Sequence, residues 1–231
     1  MRRLIFLTAI LMLLSGCTKE VHSDRTVERD NLFYEINSQT PFTGDVVNFF
    51  ENGQLEYRGT YVDGMQNGPT YRYYENGNQE LMSNYIDDVG NGVHEKYHEN
   101  GQLASRYIEL DGRYNGLEKE FQENGLLIQE TNWKEGRRHG LNVVYHANGQ
   151  LAYKMKFQDG KQADGKYETY DNQGQLSVRG FIVNGRLEGV QKLYKNGELK
   201  EEKYWQGGKE MELLTLEELE EYSSSPYQVK D

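Results

Sequence analysis

The chain alternates between hydrophobic and polar residues, and the alternation restarts at a glycine about every 24 residues. These starting glycines are Gly44, Gly68, Gly92, Gly116, Gly140, Gly165 and Gly189. Five positions after each of them comes an aromatic residue: Phe49, Tyr73, Tyr97, Phe121, Tyr145, Tyr170 or Tyr194. Alternation with a period of two predicts β-strands, and no segment between Gly44 and Gly208 has a convincing helical period. A fixed period of this length is typical of stacked repeat proteins.

Each repeat is predicted to contain two tight turns. The first turn carries Asn-Gly in six of the seven repeats, as in Asn148-Gly149, and Gln173-Gly174 in the other one. Asn-Gly favours a type I′ hairpin turn, in which both central residues have positive φ. The second turn is usually Asp-Gly, as in Asp63-Gly64. The second repeat is irregular at this turn, with Asp88 where glycine is expected and Gly90 nearby.

Strands that follow one another through tight turns pair antiparallel. We therefore predict an all-β fold: an elongated antiparallel meander of about seven 24-residue β-hairpin repeats, with about fourteen strands. A second column of large residues follows the first turns, at Tyr61, Tyr85, Trp133, Phe157, Ile182 and Trp205. One face is expected to carry both columns, with leucines, as a ladder of core side chains. The repeat domain is predicted over residues 32–208, with residues 32–43 as a capping half-repeat. Residues 209–231 are predicted to form a C-terminal cap, because Thr215 and Glu218 fit a capping box for a short helix over 215–222.

The N-terminus has the features of a secretory signal over residues 1–16. Arg2 and Arg3 form a charged region that precedes an apolar run too short to span a bilayer. The run ends in Leu14-Ser15-Gly16-Cys17, which resembles a bacterial lipobox and implies lipidation of Cys17. The alternative is an ordinary signal peptide in which Cys17 occurs by chance. Residues 17–31 are predicted to be the lipidated cysteine and a flexible tether, since they lack apolar periodicity.

Composition limits the partners. The net charge of −11 makes nucleic acid a poor ligand, because attraction to phosphate dominates such binding. The only direct membrane contact we expect is the acyl anchor, on the outer membrane if the cell is Gram-negative. A single cysteine rules out an intramolecular disulfide framework. The low hydrophobic content of 36% favours a thin sheet over a thick globular core.

Few residues fit a catalytic or metal site. His98 and His146 occupy the same place two repeats apart, which corresponds to roughly 19 Å across four strand spacings and is too far for one metal ion. Glutamates before the first turns, such as Glu51 and Glu75, form a row that is more typical of a solvated edge than of catalysis. We therefore expect no enzyme activity, no metal and no cofactor.

The repeats resemble the bacterial variant of the MORN repeat family. The matching elements are Tyr-x-x-Asn-Gly-Gln-Leu, as at Tyr145–Leu151, and aromatic-x-x-Gly-x-x-x-Gly, as at Trp133–Gly140. The resemblance covers roughly residues 40–208 and implies an antiparallel sheet with one hairpin per repeat. Related bacterial proteins are described as antitoxins of toxin–antitoxin systems or as exported repeat proteins.

Tyrosines outside the main aromatic columns form a candidate partner-binding surface. They are Tyr57, Tyr71, Tyr74, Tyr107, Tyr114, Tyr153 and Tyr167. Exposed tyrosines suit recognition of peptides or sugars, although the same residues would also cover the second face of a thin sheet. The sequence favours a non-enzymatic envelope lipoprotein that binds a protein or a glycan. The alternatives are an antitoxin-like or immunity protein and, less favoured, an enzyme that acts on cell-wall polysaccharide.

Overall fold

The structure, a computed structural model, describes residues 19–211 of the chain. The predicted signal peptide, Cys17 and the predicted helix over residues 215–222 lie outside the described residues. Most of the described chain forms one sheet of nineteen strands, and two further strands form a separate hairpin. The all-β repeat fold is therefore confirmed.

The strands follow one another in chain order. They are β1 (Glu20–His22), β2 (Thr26–Arg29), β3 (Leu32–Glu35), β4 (Gly44–Phe49), β5 (Leu55–Val62), β6 (Met65–Tyr73), β7 (Gln79–Ile86), β8 (Val89–Gly90), β9 (Gly92–Tyr97), β10 (Leu103–Leu110), β11 (Arg113–Tyr114), β12 (Gly116–Phe121), β13 (Leu127–Lys134), β14 (Arg137–Tyr145), β15 (Leu151–Gln158), β16 (Lys161–Gln162), β17 (Gly165–Tyr170), β18 (Leu176–Val183), β19 (Arg186–Lys195), β20 (Glu198–Gln206) and β21 (Lys209–Met211).

From β4 to β21 the chain forms an antiparallel meander, in which β8 and β9 both pair with β7, β11 and β12 with β10, and β16 and β17 with β15. All fourteen predicted strands are present. Three of them are split into two short strands, and β1 and β21 are additional, which gives nineteen. A β-bulge lies beside the starting glycines, which adopt positive φ values such as 111° at Gly92, and in three repeats it divides the strand in two. This backbone conformation explains why each repeat begins with glycine.

The first turn differs from the predicted type I′ turn in six repeats. In the turn at Asn52-Gly53, Gly53 has a φ of 83°, whereas Asn52 does not have positive φ. The amide of Gly53 donates to the carbonyl of Phe50 (2.9 Å), and the amide of Phe50 donates to the carbonyl of Gln54 (2.8 Å). This is a three-residue loop with a type I turn followed by a left-handed glycine. Gln173 fits the same turn in the sixth repeat because this position does not require positive φ.

The type I′ prediction for Asn-Gly is correct only in the seventh repeat, at Asn196-Gly197. Both residues have positive φ there (55° and 77°), and Lys195 pairs directly with Glu198. This repeat has one residue fewer between its aromatic residue, Tyr194, and its Asn-Gly pair. Loop length selects the turn type, so deletion of one residue converts the three-residue loop into the two-residue type I′ loop.

The second turn is the regular type I′ turn of this fold. Asp63 and Gly64 have φ values of 48° and 85°, and the same pairing of positive values recurs at Glu135-Gly136 and Asn184-Gly185. The irregular second repeat has the same turn, since Asp87 and Asp88 also have positive φ values, of 49° and 65°. Aspartate tolerates the left-handed region better than most residues, which is why the turn survives without its glycine.

Neighbouring repeats are hydrogen-bonded to each other at both rims of the sheet. At the rim of the first turns, the asparagine side chain donates to a carbonyl of the next first turn. These bonds join Asn52 to Glu75 (3.2 Å), Asn76 to Glu99 (2.9 Å), Asn100 to Glu123 (2.7 Å) and Asn148 to Asn172 (2.6 Å). At the rim of the second turns, a backbone amide donates to a carbonyl of the preceding repeat. Examples are Gly112 to Gly90 (2.8 Å) and Gly136 to Tyr114 (2.9 Å).

The N-terminal segment caps the sheet. The Phe42 carbonyl accepts a hydrogen bond from the amide of Gly64 (2.8 Å), as a carbonyl of the preceding repeat does at the later second turns. Residues 32–43 therefore take the place of a preceding repeat. The hairpin of β2 and β3 brings Phe33 against Tyr61, with ring centroids 4.8 Å apart. The hydrophobic core is concentrated here and contains Val21, Phe42, Val46 and Tyr61.

The predicted flexible tether over residues 17–31 is wrong for the part that the structure describes. β1 pairs parallel with β4, so that Val21 lies beside Val46 and is almost fully buried. Arg58 forms an ion pair with Glu20 (2.9 Å). Without β1, the edge of β4 would expose its unpaired backbone groups and the core valine, which is the reason for the order of this polar segment.

The two aromatic columns lie on opposite faces, which corrects the expectation of a single ladder. We call the side that carries Val46, Gly59, Thr70 and Ser83 the front face, and the opposite side the back face. The alternation of side chains along each strand places the later column, from Tyr61 and Tyr85 to Trp205, on the front face. The column from Phe49 to Tyr194 lies on the back face beside a ladder of ion pairs.

We predict opposite effects of one substitution at two Asn-Gly sites. Asn148→Gly should lower the free energy of unfolding by about 1 kcal/mol, because the side chain donates to Asn172 and accepts from the amide of Gln150 (3.0 Å). Asn196→Gly should change it by less than about 0.5 kcal/mol, because glycine adopts positive φ freely. Urea denaturation of both variants checks this, and equal effects would contradict the turn assignment.

Candidate binding groove on the front face

An open groove of about 780 Å³ lies on the front face between β4 and β7. Its floor and walls contain Val46, Tyr57, Tyr61, Gln66, Thr70, Arg72, Leu81 and Tyr85, and Phe33 of the cap contributes to its lining. These residues come from four adjacent strands at positions of the same orientation. The groove therefore runs across the strands, along the length of the sheet.

Hydroxyl groups meet an amide at the centre of the groove. The hydroxyls of Tyr57 and Tyr61 are 3.1 Å apart, and the Gln66 side chain donates to Tyr57 (2.9 Å). Thr70 lies 3.4 Å from the same amide nitrogen. The ring of Tyr57 lies over Gly59, where a Cβ atom would be 2.1 Å from its hydroxyl oxygen. Burial and the neighbouring hydroxyl raise the pKa of Tyr61, so this group is a neutral donor at physiological pH.

Charged side chains line the outer part of the groove. Arg72 is exposed, and Glu56 and Glu80 are half-buried. A second depression of about 400 Å³ shares Arg72, Glu80 and Leu81 with the groove and extends towards β10. The binding surface is therefore elongated rather than a single closed pocket.

Buried His94 and half-buried Glu109 form a pair beyond the far end of the groove. The ring of Tyr85, which lines the groove, meets the ring of His94 edge-on at 6.1 Å between centroids. His94 is 3% exposed, and its Nε2 atom lies 3.6 Å from a carboxylate oxygen of Glu109 without forming a hydrogen bond. Burial lowers the pKa of His94, while the charge of Glu109 acts in the opposite direction.

Two departures from the repeat pattern explain each other at this pair. Glu109 replaces the aromatic residue expected in the third repeat. Gly90 lies directly beside it, because a Cβ atom at position 90 would be 1.8 Å from the Glu109 carboxylate. The irregular second repeat thus provides the space that the irregular third repeat fills.

An aromatic stack continues from His94 along the front face. His94 stacks on Tyr107 with centroids 5.0 Å apart, Tyr107 on Tyr114 at 4.5 Å, and Tyr114 meets Trp133 at 5.2 Å. The Trp133 indole donates to Glu118 (2.7 Å). Burial raises the pKa of Glu118 despite this hydrogen bond. These rings cover one another, so this part of the face is a packed layer.

The seven predicted surface tyrosines do not form one surface. The structure places Tyr57, Tyr107, Tyr114, Tyr153 and Tyr167 on the front face, whereas Tyr71 lies on the back face and Tyr74 at the rim of the first turns. All seven are half-buried. Only Tyr57 and Tyr74 line the groove.

His98 and His146 join neighbouring repeats. Their Nε2 atoms lie 2.9 Å and 2.8 Å from the carbonyls of Phe121 and Tyr170. A carbonyl only accepts, so Nε2 carries the proton in both residues. The Tyr74 hydroxyl makes the equivalent bond to Tyr97 (2.8 Å). Within residues 19–211 no group of three or more His, Cys, Asp or Glu residues is arranged to hold a metal ion.

Sequence reasoning missed Gln66 and Arg72, which line the groove, and the contact between His94 and Glu109 beyond it. The repeat pattern predicts Tyr61 and Tyr85 as core residues, whereas both line the groove. The available signal was the failure of the repeat pattern at Asp88, Gly90 and Glu109.

Three segments of the chain match the family model described as "MORN repeat variant", over residues 42–63, 91–107 and 138–159. Each segment covers one hairpin around a first turn. Repeats of this type are generally associated with binding and scaffolding roles. A search of curated proteins finds no match to the chain. No helix in the described part of the chain is long and apolar enough to cross a bilayer.

Acid should destabilise the sheet through His94. Its pKa is lowered in the folded chain, so the unfolded chain takes up the proton first. The stability provided by neutral His94 is complete above the unfolded pKa of about 6.5 and is lost as pH falls below it, by no more than about 1.4 kcal/mol per pH unit.

The check is urea denaturation of wild type and His94→Thr between pH 7.5 and pH 5. Thr70 occupies the same place in the preceding repeat, so threonine is a suitable replacement. The difference in stability between the two proteins should shrink with falling pH. A constant difference would show that the pKa of His94 is the same in the folded and the unfolded chain.

Proposed function

We propose that the protein is a non-enzymatic lipoprotein of the bacterial envelope that binds a protein or glycan partner through the groove on its front face. The groove is the observation that supports this proposal, because it combines aromatic faces, hydroxyl groups, an amide and charged groups on one sheet. Ligand sites typically combine apolar walls with a few placed polar groups. The match to a repeat type generally associated with binding supports the same role.

The membrane anchor in this proposal is Cys17, supported by the sequence Leu14-Ser15-Gly16-Cys17. β1 begins at Glu20, three residues after Cys17, which corresponds to at most about 11 Å of extended chain. An acylated Cys17 would therefore hold the N-terminal edge of the sheet next to the bilayer. The capped end and the nearby groove would lie close to the membrane, and the later repeats would extend beyond it.

Replacement of the cysteine tests the anchor. Wild type should incorporate radiolabelled palmitate and fractionate with membranes, whereas Cys17→Ser should do neither. The serine variant should remain folded, because Cys17 precedes every strand of the sheet. Membrane association of Cys17→Ser equal to wild type would refute the lipid anchor.

A pull-down from the native envelope tests binding. Wild type should recover a specific partner, and Tyr85→Ser should lose it because Tyr85 lines the groove. Tyr71→Ser is the matched control, since Tyr71 is equally half-buried but lies on the back face. Recovery that is absent with wild type, or unaffected by Tyr85→Ser, would contradict binding in the groove.

A further inference from the structure

We infer that the occupant of the groove is a linear, uncharged glycan that lies along the axis of the sheet, across β4 to β7. This inference rests on the proposed binding function and names the ligand class of the same groove. Four properties of the groove favour this occupant: its aromatic surfaces, its polar groups, its charge and its length.

The aromatic surfaces suit the apolar faces of sugar rings. Tyr57 on β5 and Tyr85 on β7 offer half-buried rings two strand spacings apart along the groove, and Phe33 adds a third ring at the capped end, where Tyr61 is only 5% exposed. Tyr85 is half-buried and has one ring neighbour in the buried layer, His94. An aromatic ring fixed in this way provides a large contact area with little loss of conformational entropy.

The polar groups offer the donors and acceptors that sugar hydroxyls need. The Gln66 amide nitrogen is within 3.5 Å of Tyr57, Tyr61 and Thr70, yet an NH₂ group has only two hydrogens to donate. The Tyr57 and Tyr61 hydroxyls also pair with each other (3.1 Å), and because a hydroxyl can both donate and accept, the cluster keeps hydrogen-bonding capacity for a ligand. Arg72 and Glu80 add a donor and an acceptor at the open side.

The charge of the groove disfavours polyanions. Three carboxylates line it, from Glu56, Glu75 and Glu80, against the guanidinium of Arg72 and, in the second depression, the amine of Lys96. The whole chain carries a net charge of −11. Acidic polysaccharides and phosphate polymers would be repelled at long range, so an uncharged glycan is the better fit.

The length and direction of the groove match a chain rather than a single sugar. From β4 to β7 the groove crosses three strand spacings, about 14 Å. One repeat advances by two spacings, about 9.6 Å, which is close to the length of two β-linked hexopyranose rings. The second depression continues in the same direction from Arg72 towards β10. A linear glycan lying in this direction would thus advance by about two sugar rings for each repeat of the sheet.

Isothermal titration calorimetry of the full mature chain carrying Cys17→Ser tests the inference. The probes are cellohexaose, chitohexaose, laminarihexaose and mannohexaose, with hexagalacturonate as the acidic control. At least one uncharged hexasaccharide should bind, and hexagalacturonate should bind at least tenfold more weakly. No binding of any uncharged probe, or a preference for hexagalacturonate, overturns the inference.

Variants locate the site. Tyr85→Ser should weaken binding at least tenfold, Tyr85→Phe by less than about threefold, and Tyr71→Ser not at all. Tyr85→Phe keeps the aromatic surface, so it separates stacking from loss of fold, and circular dichroism confirms that each variant is folded. Equal binding by Tyr85→Ser and wild type overturns the inference. An envelope pull-down that recovers a protein through Tyr85, without glycan binding, would overturn the glycan assignment and leave the proposed function intact.

Discussion

The fold depends on hydrogen bonds that connect each turn to the same turn of the neighbouring repeat. A hairpin alone is marginally stable in water, and few hydrophobic side chains are fully buried in the described part of this chain. The asparagine side chains at one rim and the backbone amides at the other hold consecutive hairpins in a fixed register. The side chains of His98 and His146 add bonds of the same kind within the sheet. Polar contacts between repeats therefore contribute much of the specificity that a thick core provides in a globular domain.

This arrangement leaves both faces of the sheet available for different tasks. The back face pairs glutamates with basic residues across strands, as in Lys119 with Glu130 and Arg179 with Glu168, and its tyrosines donate to the same carboxylates. The front face buries polar residues such as Thr131 and Asn142, which are hydrogen-bonded to each other (2.7 Å). Because buried polar groups such as Thr131 and Asn142 pair with each other, the front face tolerates residues that differ from repeat to repeat. The groove, the His94–Glu109 pair and the aromatic stack all result from this variation on one scaffold.

The repeat architecture could be predicted from the sequence because it follows from the 24-residue period of glycine and aromatic positions, and each of the seven repeats shows this pattern. The type of the first turn could not be predicted from Asn-Gly alone, since that pair favours type I′ only in a two-residue loop. The asparagine is present for its hydrogen bonds to Gln54 and Glu75 in the case of Asn52, and such bonds between repeats leave no local signature. The ordered structure of residues 20–29 could not be predicted from the sequence either, because a polar segment becomes a strand only by pairing with the exposed edge that it covers.

The candidate site was predictable only in part. A tyrosine-rich surface was expected, but the face on which each tyrosine lies depends on the bulges, which shift the register by a residue. Glu109 and Gly90 depart from the pattern in different repeats, and only the pairing of strands shows that they occupy one space.

The turn in the seventh repeat has a consequence for how such chains change in length. One residue is missing at Asn196-Gly197, and the strands on either side still pair, because a shorter loop of another type replaces the longer one. Duplication or loss of a complete repeat would preserve the bonds at both rims, since each turn pairs only with its neighbours. A gene of this design can therefore gain or lose whole repeats without loss of strand register. The fold tolerates deletion of a single residue in the first turn, where a shorter type of loop replaces the longer one.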